Sequence, residues 1–150
     1  QIPIYYNHRN PARRGTQGWY KDIQIEPMYE FGYGLSYSTF EYSPVTLSSD
    51  RVAKDGKVTA SVTVKNTSEV DGKETVQWYI CDPVCSITRP VRELKHFEKV
   101  MLKAGESRTF TFEIEPCRDL SFVDRNGERF LEDGEYHIIV KGSKAILNVE

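Results

Sequence analysis

From residue 58 onward, apolar and polar side chains alternate in short runs. Val58, Ala60, Val62 and Val64 alternate with Thr59, Ser61, Thr63 and Lys65. Val76, Trp78 and Ile80 alternate with Thr75, Gln77 and Tyr79, and Phe110, Phe112 and Ile114 with Thr109, Thr111 and Glu113. Tyr136, Ile138 and Val140 alternate with His137, Ile139 and Lys141, and Ala145, Leu147 and Val149 close the chain. Successive side chains of a strand point to opposite faces, so a period of two means one buried face and one wet face. Phe97 lies in a further run that ends at Leu102. Turn chemistry separates the runs: Asn66 to Gly72, Ala104-Gly105-Glu106, Asn126-Gly127 within Asp124 to Glu128, and Asp133-Gly134. The pattern predicts about seven or eight short strands from Phe40 onward, with turns roughly every 8–12 residues and no helix longer than a turn. The predicted class is all-β: an antiparallel immunoglobulin-like β-sandwich with an irregular N-terminal linker. Trp78 is in phase with Val76 and Ile80, which places it in the core.

The first 42 residues break the pattern. They hold ten of the eighteen aromatic residues, yet their only alternation is Ile2/Ile4. That predicts an edge strand over Ile2 to Tyr6, with Pro3 near its start. Asn7 to Gly18 is polar, carries Pro11, Gly15 and Gly18, and reads as an exposed loop. The run from Met28 to Tyr42 is too apolar for a solvated linker and too interrupted, by Gly32 and Gly34, for a helix. It reads as a rigid hinge that plugs one domain into another. The expected division is a linker over 1–39 and a sandwich over 40–150. The chain opens on Gln1 with no initiator Met and no basic leader, so a processed or truncated start is expected, as for the end of a larger protein.

Composition narrows the field. At 150 residues, 39% apolar and 12% aromatic, there is material for one sizeable core plus an extension. A formal net charge of -2 gives no electrostatic footprint for nucleic acid or an anionic membrane. No apolar run approaches the ~20 residues of a membrane span. Neither partner is expected, and a monomer is.

Candidate chemistry is sparse. Glu132-Asp133, and Asp119 with Asp124, are the available carboxylate clusters for glycosidic acid/base work, but all sit in turn-rich segments where carboxylates are solvated. Cys81, Cys85, Cys117 and His96 have no zinc-site spacing. A Cys81–Cys85 disulfide and free thiols both remain open, with free thiols favoured. His8, Arg9, Arg13 and Arg14 form a basic patch too small for nucleic acid, and read as solvated or as ion-paired to a neighbouring domain. Trp19, Tyr20, Tyr29, Tyr33 and Tyr37 could stack on sugar rings or anchor the linker, and anchoring is the favoured reading. No catalytic, cofactor-binding or metal-ligating residue is assigned, and no cofactor is expected.

Several motifs carry a resemblance. Val62-Thr63-Val64-Lys65-Asn66-Thr67, Val76-Gln77-Trp78-Tyr79-Ile80, Asp82-Pro83-Val84, Thr88-Arg89-Pro90-Val91-Arg92-Glu93-Leu94-Lys95-His96-Phe97, Leu102 to Arg108, Asp119 to Asp124 and Glu132 to Tyr136 appear in order. Together they resemble the fibronectin type III-like domain at the C-terminus of glycoside hydrolase family 3 enzymes, mostly β-glucosidases and β-xylosidases. Ile2 to His8 and Phe31-Gly32-Tyr33-Gly34-Leu35-Ser36-Tyr37 resemble the linker that joins this domain to a preceding α/β domain. The resemblance implies that 1–39 includes the tail end of that domain. It implies a non-catalytic accessory role, with the catalytic domains of the same polypeptide as partners and an exported parent enzyme. The family's nucleophilic aspartate lies in an upstream barrel, in a Ser-Asp-Trp-like context. Here the sole Ser-Asp, Ser49-Asp50, is followed by Arg51, so no catalytic residue carries over and this chain alone is not expected to be an enzyme.

The candidate interdomain-interface residues are Tyr5, Tyr6, Trp19, Tyr20, Tyr29 and Tyr33. Phe31, Leu35 and Phe40 are expected to pack on the sandwich, and Tyr5, Tyr6 and Trp19 to stay partly exposed. The alternatives are a carbohydrate-binding module with weak glycan contact, and an adhesive or oligomerising sandwich using an exposed strand edge.

Overall fold

The computed structural model of the chain describes residues 5–9 and 27–150. Two sheets face one another. In the first, β4 (Val58–Asn66) pairs on one side with β7 (Ser107–Ile114) and on the other with β1 (Phe40–Tyr42) and β2 (Thr46–Leu47). The second runs β3 (Arg51–Val52), β11 (Ser143–Val149), β10 (Gly134–Val140), β5 (Gly72–Cys81), β6 (Glu93–Leu102). A small hairpin of β8 (Phe122–Val123) and β9 (Arg129–Phe130) and one helical turn, α1 (Pro116–Asp119), lie between β7 and β10.

The strand number exceeds the sequence expectation because one edge strand is broken into pieces. β1 and β2 are interrupted at Pro44, which has no N–H to give to a ladder. Ser43 N–H still reaches Thr63 O, and Ser48 N–H reaches Thr59 O, both at 2.9 Å. Between them Val45 turns inward and donates its N–H to Ser143 Oγ on the opposite sheet, at 3.0 Å. The chain then crosses, and β3 pairs with β11 in parallel through Arg51↔Asn148 and Val52↔Val149. The other strand pairs are antiparallel.

Register builds the core. Val58↔Ile114, Ala60↔Phe112 and Val62↔Phe110 put the apolar sets of β4 and β7 on one face. Val76, Trp78 and Ile80, Tyr136, Ile138 and Val140, and Leu147 and Val149 fill the facing side. Trp78 bridges the sheets, its ring centroid 6.0 Å from that of Phe112. Tyr136, near the start of β10, donates its hydroxyl to Glu132 O at 2.9 Å and so pins the entry to that strand. The β10–β11 hairpin turns through Lys141 (φ 47°) and Gly142 (φ 84°), the left-handed pair that a tight two-residue hairpin requires.

The expected Asn66 turn is built around a buried side chain. Asn66 Nδ2 donates to Val70 O (2.8 Å) and Leu102 O (3.1 Å), and Oδ1 accepts from Ser68 N (3.1 Å) and Ser68 Oγ (2.6 Å). Asn66→Ala leaves those buried partners unmatched. We expect it to cost about 1–3 kcal/mol in urea denaturation, the penalty for orphaned buried polar groups; a loss below about 0.5 kcal/mol would show that water replaces the amide.

Two expectations for the linker need correction. The edge strand over Ile2 to Tyr6 does not extend through its described end: Tyr5 and Tyr6 lie in a turn closed by His8 N–H to Tyr5 O at 3.2 Å, and Ile2 to Ile4 lie outside the described residues. The exposed-loop reading is incomplete at His8 and Arg9, which are exposed but tied to the β5–β6 connection by their backbone. Arg9 forms a β-bridge with Pro90, and Val91 N–H donates to His8 O at 2.9 Å.

Candidate interdomain interface

Gln77 and Tyr79 point away from the core, as the pleat of β5 requires. Tyr79 is nevertheless buried, because the segment preceding the sandwich lies across it. The Tyr6 ring meets Tyr79 edge-on at 5.9 Å and stacks on Phe31 at 4.3 Å and 23°. Arg92 lies over the Tyr79 ring at 5.1 Å and reaches Glu30 at 3.8 Å. Burial raises the pKa of the Tyr79 phenol, against the opposing charge of Arg92. Gly32, at φ 85°, brings its backbone onto the Gln77 amide so closely that any Cβ there would clash with it. Ser38 Oγ donates to Val70 O at 3.0 Å, and Gly72 leaves the space that Ser38 and Phe40 fill.

These contacts hold a set of apolar side chains that nothing among the described residues covers. Met28, Tyr29, Phe31, Tyr33, Leu35 and Tyr37 are exposed within ten residues, and Tyr5 joins them. Tyr29 and Tyr33 lean on one another at 5.0 Å. Of the three side chains expected to pack on the sandwich, Phe40 does. Phe31 stacks on Tyr6 and stays 50% exposed, and Leu35 is 90% exposed. Tyr6 is half-buried, with one ring face and one edge engaged, and Tyr5 is exposed. Trp19 and Tyr20, like Arg13 and Arg14, lie outside the described residues.

The sequence pointed to the aromatics but missed the residues that position them: Gln77, Arg92, Glu30 and Pro90. The one available signal was Tyr79, an aromatic out of phase with the core of its own strand.

The carboxylates once considered for acid/base work serve local structure. Asp119 is buried, not solvated as expected: it accepts hydrogen bonds from Nε and Nη2 of Arg118, each at 2.9 Å, and from Glu115 N–H at 2.8 Å. Asp124 Oδ1 accepts Asn126 N–H and Glu128 N–H and so shapes the β8–β9 turn. Glu132 accepts Ser86 N–H at 3.1 and 3.3 Å, and hydrogen bonds from Ser86 hold its carboxyl below the ordinary glutamate range. Asp133 pairs with Lys54 at 2.8 Å. Cys81, Cys85 and Cys117 are free thiols. Cys117 Sγ donates to Lys54 O at 3.1 Å, and the His96 ring lies flat against Phe112, so neither joins Cys81 and Cys85 in a ligand set. Burial pushes the Cys85 thiol up to about 11.

Comparison with known proteins adds a family to this geometry. Residues 74–144 match the fibronectin type III-like domain. The chain is 42% identical to a periplasmic β-glucosidase of Salmonella typhimurium over 147 residues, covering 93% of this chain and 19% of the relative. It is 43% identical to a putative β-xylosidase of Formosa agariphila over 141 residues, 93% of this chain and 18% of the relative. A solved β-glucosidase from Erythrobacter marinus superposes with a TM-score of 0.90 at 30% identity, over 99% of this chain and 20% of that one. A β-glucosidase from Listeria innocua in complex with glucose gives 0.88 at 39% identity, over 99% and 22%. The chain spans about a fifth of the length of the curated relatives it matches.

Proposed function

We propose that this chain, which belongs to the fibronectin type III-like family as it occurs in β-glucosidases of glycoside hydrolase family 3, is a non-catalytic accessory domain that stabilises and positions the catalytic domains of a longer polypeptide. The observation that carries this reading is the uncovered apolar set around Tyr29, Tyr33, Leu35 and Tyr37, held in place by the Tyr6–Tyr79 contact. Exposed apolar side chains this dense mark a surface that another structure covers. Residues 1–39 act as linker and docking segment, with Tyr5, Tyr29 and Tyr33 facing the catalytic domains and Tyr6 fastening the segment to the sandwich. Trp19 and Tyr20 are assigned to the same interface from sequence. Hydrolysis of a terminal β-linked sugar belongs to the parent enzyme. The periplasmic β-glucosidase among the relatives supports an exported parent. The domain alone is a monomer and takes no glycan.

The test compares two settings. In the isolated chain, Tyr29→Ser with Tyr33→Ser should change the unfolding free energy from urea denaturation by no more than about 0.5 kcal/mol, because surface side chains contribute little. In the full-length enzyme the same pair should lower the melting temperature and loosen the docking of this domain. Equal tolerance in both settings would refute docking at this surface. Titration of the chain with cello- and xylo-oligosaccharides, followed by Trp fluorescence, should show no saturable change at millimolar sugar. Saturation that Trp19→Ala abolishes would make this a carbohydrate-binding module instead.

A further inference from the structure

Where β5 leads into β6, three donor groups converge at one end of the sandwich. Asp82 and Cys85 come from the connection between those strands, and Glu132 from the residues just before β10. A carboxylate oxygen of Asp82, the Sγ of Cys85 and a carboxylate oxygen of Glu132 all lie within 4.8 Å of one another. Convergence alone is common among acidic groups. Here the Asp82 side chain is only 4% exposed, and its Oδ2 is buried without a hydrogen-bond partner. Arg89 Nη1 stands 3.6 Å from that oxygen, beyond hydrogen-bonding range. The Arg89 hydrogen bonds go to Leu120 O (2.9 Å) and Glu93 (2.8 Å) instead. The Asp82 carboxylate thus keeps an oxygen with unused lone pairs in a residue that also stands beside a thiol and a second carboxylate, and an unmatched buried group of this kind calls for an explanation such as a bound ion.

We propose that Asp82, Cys85 and Glu132 bind a divalent cation of the zinc class. Charge supports this. Glu93 is balanced by Lys95 at 2.8 Å, which leaves Arg89 as the cation that, among the described residues, is paired with this cluster of Asp82, Glu132 and, on binding, the Cys85 thiolate. A divalent ion brings that sum to zero. The donor set selects the metal: one sulfur and two oxygens suit Zn²⁺, whereas Ca²⁺ and Mg²⁺ take oxygen ligands in larger number. With Zn–S about 2.3 Å and Zn–O about 2.1 Å, tetrahedral ligand atoms stand about 3.4–3.7 Å apart. The three groups, all within 4.8 Å of one another, need draw together by at most about 1 Å, which the exposed Pro83-Val84 link between two of them accommodates. Ser86 N–H, bonded to Glu132, orients that carboxylate from behind. The fourth position is left to water. The ion would clamp the β5–β6 connection to the entry of β10, beside the Tyr136 hydroxyl contact.

Untagged protein, stripped with a chelator and titrated with Co²⁺, is expected to develop a thiolate-to-cobalt charge-transfer absorption. The band should saturate at one equivalent and be displaced by Zn²⁺. Cys85→Ser should abolish it and weaken Zn²⁺ binding by at least about tenfold. Glu132→Gln should weaken Co²⁺ binding while keeping the band, and Cys81→Ser and Cys117→Ser should change neither. Because replacing buried Asp82 can unfold the domain, the loop thiol and Glu132 carry the test, with circular dichroism checking that each variant keeps its fold. No band with native protein, a band that survives Cys85→Ser, or one lost equally in Cys81→Ser overturns the proposal. Each of these outcomes is independent of whether the aromatic surface docks a catalytic domain.

Discussion

Trp78→Ala is expected to destabilise the domain by about 3–5 kcal/mol, the range for emptying a large aromatic from a packed core. Trp78 is 0% exposed and heads the fully buried side chains by volume. It stands on β5 between Val76 and Ile80 and meets Phe112 of the facing sheet, so its loss opens a hole between the two layers instead of a dent at their rim. Such holes collapse poorly in a sandwich, because both walls are hydrogen-bonded ladders that resist moving inward. With only about 5–15 kcal/mol available to a domain of this size, the variant should unfold at much lower urea concentration, with the slope of the transition little changed. A loss below about 1 kcal/mol would mean that neighbouring side chains refill the site. Phe112→Leu then serves as the second probe of the same contact.

The parts of the fold legible in the sequence are those where one face is buried and the other wet. β4, β5, β7, β10 and β11 each announce themselves by strict alternation, and the Asn66, Gly105, Asn126-Gly127 and Gly134 turns by residue type. The parts that were not legible have other causes. β2 and β3 are two residues long, too short to show a period, and the parallel β3–β11 pairing depends on the chain changing sheets between Ser48 and Arg51. The Lys141-Gly142 hairpin carries Lys where Asn or Asp is the usual signal. Asp119 looked solvated because burial of a carboxylate depends on a local cage, here Arg118 and the Glu115 N–H, that residue type does not reveal.

The interface shows the same division. Aromatic density identified the segment, but hydrophobicity does not say which side chain faces which surface. Tyr6 and Leu35 are both apolar and precede the same strand. One finds Tyr79 and Phe31 within reach, and the other points to open solvent. Gly32, at positive φ, brings the backbone against Gln77 between them.

Arg89→Ala is expected to cost about 3–5 kcal/mol, the consequence of removing one partner from a buried charge cluster. The Arg89 side chain is 7% exposed and holds four things at once: Asp82, Glu93, the Leu120 carbonyl and the face of the Phe122 ring at 5.1 Å. Its loss strands a carbonyl and a carboxylate away from water and removes a cation from an aromatic face. The pH dependence follows from Glu93. Burial opposes its ionisation, but hydrogen bonds from Lys95 and Arg89, with their charges, outweigh this and hold its carboxyl below the ordinary glutamate range. A carboxyl depressed in the folded state contributes stability that is present above the unfolded value, about 4.3, and is lost as pH falls through the folded one. Arg89→Ala removes part of that contribution, so the gap between variant and wild type should be widest near pH 7 and should narrow as pH drops below about 4. Urea denaturation of both proteins across that range measures it. A gap independent of pH would assign the role of Arg89 to packing on Phe122, and Arg89→Met, which keeps bulk without charge, would then restore most of the loss.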